Sequence, residues 1–241
     1  MSKIHIILQN SKYQRYILFY NIPNLCFINF YKLFTLLFHM HKSLIVSKIL
    51  SNPSVIQDYY IFLKSKLTCD KSLHIKEQEI FSTFYAEYFK RQQTDYLLNT
   101  KIDLYNDRIE PIHLNVIESK DNINRYISII SSISDIKIPT DILEKYLLFI
   151  KLTRDKEHDT FLNILVYTIL KSNIRNFKSI VTYVIKYRRR IFIACEHKTI
   201  QNQSEIEYYI NVLSVALEFI ERMEYKDLNI TKDEYEKLIG I

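Results

Sequence analysis

The sequence predicts an all-α fold, a layered helical bundle, on three observations. There is one glycine, Gly240, and there are four prolines in 241 residues; a β-sandwich or barrel would need a turn residue every ~8–12 positions. Over 206–220, Ile206, Tyr209, Ile210, Leu213, Ala216, Leu217 and Ile220 recur at i, i+3, i+4, i+7 spacing, the period of an amphipathic helix with one face on a core. Over 159–171, Phe161, Leu162, Ile164, Leu165, Val166, Ile169 and Leu170 cover nearly every direction around the axis, which marks a centrally buried helix. Ile, Tyr and Phe are abundant, but so are Lys and Asn, so we read their excess as coding bias and not as strand preference.

Taken in order, residues 1–42 form a basic, aromatic N-terminal segment and 43–241 form the helical body. The run 16–41 is apolar, but Asn21, Pro23, Asn24, Asn29 and Lys32 interrupt it. A transmembrane helix, which needs about 20 predominantly apolar residues, is therefore disfavoured. An interfacial membrane segment, a transit-like peptide poor in Ser and Arg, and a chain that starts at Met40 all remain open. Helices are expected at 44–50, 55–67 and 77–89, broken by Asn52-Pro53 and by the polar stretch around Asp70. Residues 91–106 give a weaker helix or a loop. Pro111 and Pro139 punctuate the middle of the chain, because the residue before a proline is biased out of the helical region. Helices at 122–133 and 141–152 come next, with Asp141 near the start of the second. Two strongly patterned helices occupy 158–173 and 204–221, and a short one at 232–239 is capped by Thr231.

Composition removes several function classes. The 48% hydrophobic content supports a core and excludes disorder throughout. Gly-rich phosphate loops, dinucleotide fingerprints and nucleophile elbows all need glycines for close approach or positive φ, and this chain lacks them. Cys26, Cys69 and Cys195 are odd in number and unpaired in spacing, which points to a reduced compartment without a disulfide framework or zinc site. His39 and His41 have no further ligand cluster nearby, so no metal and no cofactor is expected. Six positive charges, Lys3, Lys12, Arg15, Lys32, Lys42 and Lys48, precede the first acidic residue, Asp58. The remaining 27 Lys and Arg equal the 27 Asp and Glu. The excess of +6 is thus an N-terminal property, suited to peripheral contact with an anionic membrane and not to a nucleic-acid partner. KYRRR at 186–190, a lone basic cluster after a helix, reads as a solvated helix end.

The two patterned helices also carry motifs. The first holds Asp159, Thr160, Phe161, Leu162 and Asn163, an apolar run to Tyr167, then Lys171 and Asn173. The second holds Glu205, Tyr208, Tyr209, Asn211, Leu213, Ala216 and Phe219-Ile220-Glu221. Weaker echoes keep the same order: Phe84-Tyr85 with Phe89, IEPIHLNV at 109–116, Pro139-x-Asp141, and Leu228-Asn229-Ile230 with Tyr235. Together these resemble the vacuolar protein sorting (VPS-nine) domain, over roughly residues 70–239. No single motif is specific; six in the family's order would rarely arise by chance.

The resemblance implies a guanine nucleotide exchange factor for Rab GTPases of the early-endosomal type, which speeds GDP release without covalent chemistry. It implies that Asp159 enters the nucleotide site, pairs with the GTPase's phosphate-loop lysine and disfavours the bound magnesium. A carboxylate suits that task, because it replaces phosphate as partner of a buried cation. Tyr208 would bind the switch regions, with Asn211, Asn163 and Glu205 on the GTPase-binding surface. Cytoplasmic residence with recruitment to endosomal or vacuolar membranes is implied as well. The sequence departs from the family at Thr160 for a second Asp, Asn163 for Pro, Asn211 for Thr and Ser204 for Gly, and the link around 191–203 is longer. Each residue also has a plainer role: Asp159 as a helix N-cap, Tyr208 as an ordinary bundle-surface side chain, and Glu205 as a charge favouring the helix dipole. Two alternatives stand beside exchange: a non-catalytic helical adaptor for a Rab or another trafficking partner, and a membrane-anchored helical protein sharing only the scaffold.

Overall fold

Every regular element is helical in the computed structural model, which describes residues 49–67, 70–93, 95–190 and 203–240. The order is α1 (Ser54–Lys66), α2 (Asp70–Phe89), α3 (Tyr96–Tyr105), a 3-10 turn (Pro111–Leu114), α4 (Lys120–Ser131), a second 3-10 turn (Ser132–Asp135), α5 (Pro139–Thr153), α6 (His158–Ser172), α7 (Phe177–Tyr187), α8 (Gln203–Arg222), a third 3-10 turn (Tyr225–Asp227) and α9 (Lys232–Ile239). The N-terminal segment 1–42, most of the helix expected at 44–50, and the long link at 191–202 lie outside the described residues.

The bundle is built around α6, which packs against α3, α4 and α8. Ile164 to Leu170 are all buried, without a break, as a helix apolar on every side requires. Asn173 ends the helix in the left-handed conformation, φ 52°, a C-cap for which Asn is the usual substitute for glycine. Lys171 Nζ donates to the Asn106 carbonyl at 2.5 Å. The Lys-x-Asn motif is thus a tie and a stop. In the Pro-x-His-Leu turn, the Glu110 N–H donates to His113 Nδ1 at 3.1 Å. The His113 carbonyl in turn accepts the Asn229 N–H at 2.8 Å, which fastens the tail motif to the turn. Thr231 caps α9 as expected, accepting the Glu234 N–H at 3.3 Å.

Two expectations need correction, and one left open is decided. α2 begins at Asp70, about two turns before the predicted start. Its buried stripe runs Leu73, Glu77, Ile80, Phe81, Phe84 and Tyr88, and a glutamate at a core position hid the period. Of the two readings for 91–106, the helix holds: residues 96–105 form a regular helix, stronger than its pattern suggested, and bury Leu98, Ile102 and Tyr105 at i, i+4, i+7. KYRRR is not a solvated helix end: Arg188 and Arg189 are 1% and 2% exposed. Arg188 pairs with Glu207 of α8, and Arg189 Nε lies 3.7 Å from Glu77 Oε2.

Glu77 is the acceptor that draws these layers together. Its Oε1 accepts the Tyr60 hydroxyl at 2.9 Å and the Thr140 hydroxyl at 2.6 Å, joining α1, α2 and α5. Burial pushes its carboxyl above the usual range against the opposing pull of Arg189. Beside this node the rings of Phe81, Phe84 and Tyr88 interlock with Tyr183 and Tyr187 of α7, with centroids 4.8–6.2 Å apart. α1 and α2 are therefore welded to the body by buried polar and aromatic contacts.

Candidate functional site

Asp159 is the second residue of α6 and is exposed. The N-cap position belongs to Glu157, in extended backbone (φ −57°, ψ 151°) and without a side-chain capping bond. The capping role considered for Asp159 is therefore corrected: it sits within the first turn, where a carboxylate favours the helix dipole but does not close the helix end. Among the described residues its carboxylate makes no hydrogen bond or ion pair. Asn163 lies four residues on, half-buried on the same face.

α8 packs against α6 and supplies the other half. Tyr208 is 48% exposed, Asn211 is exposed, and Val215 is 56% exposed; at i, i+3, i+7 they form one outward stripe. The Tyr208 hydroxyl lies 3.4 Å from His158 Nδ1, the residue next to Asp159. The two motifs, some fifty positions apart, thus meet at one surface. Glu205 stands exposed in the first turn of α8, where its charge also complements the dipole.

The Tyr-Tyr pair divides its labour. The Tyr209 ring packs on Phe161 of α6, centroids 6.2 Å apart, and on Tyr208 at 5.2 Å. Its carbonyl accepts the hydroxyl of buried Tyr146 at 2.9 Å. Phe161 and Tyr209 therefore lock the helices in register, and the outward-facing ring is Tyr208. One residue earlier, Glu207 is gripped by the buried Arg188 and accepts the Gln203 side-chain amide at 2.9 Å, which fixes the first turn of α8.

Sequence reasoning missed His158 on this surface, and the buried Arg188 with its partner Glu207 beneath it. His158 borders Asp159, but nothing in the chain ties it to position 208. Among the described residues no group of three His, Cys, Asp or Glu side chains could hold a metal, and no helix is long and apolar enough to cross a membrane.

Residues 121–225 match the family model of the Vacuolar sorting protein 9 (VPS9) domain. VPS9 domains are the domains of Rab exchange factors, which accelerate nucleotide release and form no covalent bonds. The match runs from α4 to the 3-10 turn after α8 and so contains both patterned helices. It supports a Rab-directed exchange role. No curated protein matches the chain.

Proposed function

We propose, from a VPS9 domain over residues 121–225, that this chain promotes GDP release from a Rab GTPase of the early-endosomal type by inserting Asp159 at the phosphate and magnesium site. One observation carries the reading: Asp159 is an exposed carboxylate, without a hydrogen bond or ion pair among the described residues, on the first turn of a buried helix beside the exposed ring of Tyr208. A carboxylate without an internal partner has no contact to break before it meets a cation. Carried on a helix whose body is core, it would enter the partner's site with little loss of its own freedom. There it would replace phosphate as partner of the GTPase lysine and repel the anionic ligands that magnesium needs. Tyr208 and Val215 would supply the apolar contact with the switch regions, and Asn211, Asn163 and Glu205 its polar border. Asn211 retains the hydrogen-bonding capacity of the family's threonine.

Measuring GDP release from a panel of Rab GTPases tests this. We expect acceleration of early-endosomal members above the rest. Rab binding without acceleration would establish the adaptor reading instead, and acceleration of another subfamily alone would overturn the assigned partner.

For the N-terminal segment we propose peripheral attachment to anionic membranes, since each Lys or Arg near such a surface contributes roughly 1 kcal/mol. The six uncompensated charges should make the full chain co-sediment with vesicles containing phosphatidylserine better than a version starting at Met40. Equal binding of the two would remove that role.

A further inference from the structure

Among the described residues the Asp159 side chain makes no hydrogen bond or ion pair, so its position is set by the body of α6 behind it and by the turn that precedes it, residues 154–157. Little in that turn is inherently rigid. It holds no proline, and the Glu157 side chain makes no capping bond. Among the described residues Asp155 pairs with its neighbour Arg154, at 3.8 Å, and both are exposed. Among the described residues, the side-chain bridge from this turn to another element is Lys156 Nζ to Glu118 Oε2, at 2.8 Å.

The Glu118 end of that bridge is built to stay. Its side chain is 8% exposed. Oε1 accepts the Asn122 side-chain amide at 2.9 Å and the Ser119 N–H at 3.1 Å. Oε2 faces the hydroxyl of buried Tyr126 at 3.4 Å, and the Tyr126 ring packs edge-on against Phe149 of α5 at 5.6 Å. Such an array exceeds what a surface ion pair needs, and it roots Lys156 in the start of α4. Lys156, 37% exposed, brings the turn down onto it.

We propose that Glu118 and Lys156 form a latch that positions Asp159, by holding the α5–α6 turn and with it the first turn of α6 against α4. This rests on the role given to Asp159 above. Glu118 and Lys156 are positioning residues: neither needs to touch the GTPase. The Lys156 ammonium, with Asn122, holds the Glu118 carboxyl down at about 2. A depressed carboxylate contributes its stability above the unfolded value and loses it as pH falls through the folded one, so the latch stays closed throughout the neutral range.

The test uses the full chain with Lys156→Gln, Glu118→Gln and the charge-conserving Lys156→Arg. Hydrogen exchange at amides 154–161 is read first, without any GTPase. We expect faster exchange there in both Gln variants and protection close to the parent in Lys156→Arg; the Gln variants should melt at a lower temperature, because the nearly buried Glu118 site loses a charged partner, yet stay folded at 25 °C by circular dichroism. With a Rab that the parent activates, the maximal rate of GDP release should fall about tenfold in both Gln variants, at an unchanged half-saturating GTPase concentration, and return in Lys156→Arg. Parent-like protection at 154–161 in the Gln variants would overturn the latch, as would loosened amides with an unchanged maximal rate. If the parent activates no Rab, the exchange reading fails, and hydrogen exchange alone still upholds or overturns the latch as the tie that holds this turn.

Discussion

Asp159→Asn is expected to leave the protein folded and to abolish most of its exchange activity. The side chain is exposed in the first turn of α6 and makes no hydrogen bond or ion pair among the described residues. Its loss of charge therefore removes only a dipole interaction, worth under ~1 kcal/mol. Asn is nearly isosteric with Asp, so packing does not change. In the complex the same substitution would leave a buried lysine of the GTPase without an anionic partner, a cost of about 3–5 kcal/mol. That corresponds to a fall on the order of 10²–10⁴-fold in the rate of GDP release. Stopped-flow release of a fluorescent GDP analogue, beside a thermal melt, separates the two effects. A parent-like rate would leave Asp159 with its dipole role alone. Because Glu157 occupies the N-cap position, a parent-like rate could not be attributed to a preserved cap.

Leu165→Ala and Leu213→Ala should destabilise the domain by about 2–5 kcal/mol each. Leu165 is fully buried in the central helix, and Leu213 is buried on the inner stripe of α8. Leu213 also borders a small apolar cavity with Tyr146, Phe177, Val181 and Ile210, so truncation there enlarges space that already exists. Tyr208→Ala should behave in the opposite way. Its ring is half exposed, and among the described residues its hydroxyl meets exposed His158, at 3.4 Å, so stability should hold while Rab binding weakens. Urea unfolding curves of the three variants check this. A Tyr208→Ala midpoint as low as that of Leu213→Ala would mean that Tyr208 belongs to the core.

The contrast between those positions is legible in the sequence, because a 3.6-residue period writes inner and outer faces directly. The predicted stripe Ile206, Tyr209, Ile210, Leu213, Ala216, Leu217 and Ile220 is buried except at half-buried Tyr209, and Tyr208, Asn211 and Val215 fall outside it. Local chemistry is legible too: Pro139 opens α5 and Thr231 caps α9. What escapes are features whose cause lies elsewhere in the chain. Glu77 breaks the apolar pattern of α2, and only Tyr60, Thr140 and Arg189 explain why a carboxylate can sit there. KYRRR looks solvated because its carboxylate partners, Glu77 and Glu207, lie on other helices. A difference of two residues in where α6 is capped decides whether Asp159 is a cap or a free carboxylate, and sequence patterns do not resolve helix ends that finely. At the candidate site each motif can be found alone. Their meeting through His158 and Tyr208, and the ion pair between Lys156 and Glu118, are tertiary facts.

The central claim is that the Asp159 carboxylate meets the phosphate-loop lysine of the GTPase. A double-mutant cycle on the nucleotide-free complex tests it most directly, pairing Asp159→Asn with replacement of that lysine by alanine. Binding would be measured for all four combinations by titration calorimetry. If the two groups pair, removing the lysine should erase most of the loss caused by Asp159→Asn, with a coupling energy of at least ~1.5 kcal/mol. Losses that add to within ~0.5 kcal/mol would show that the two groups do not meet, and would contradict the account.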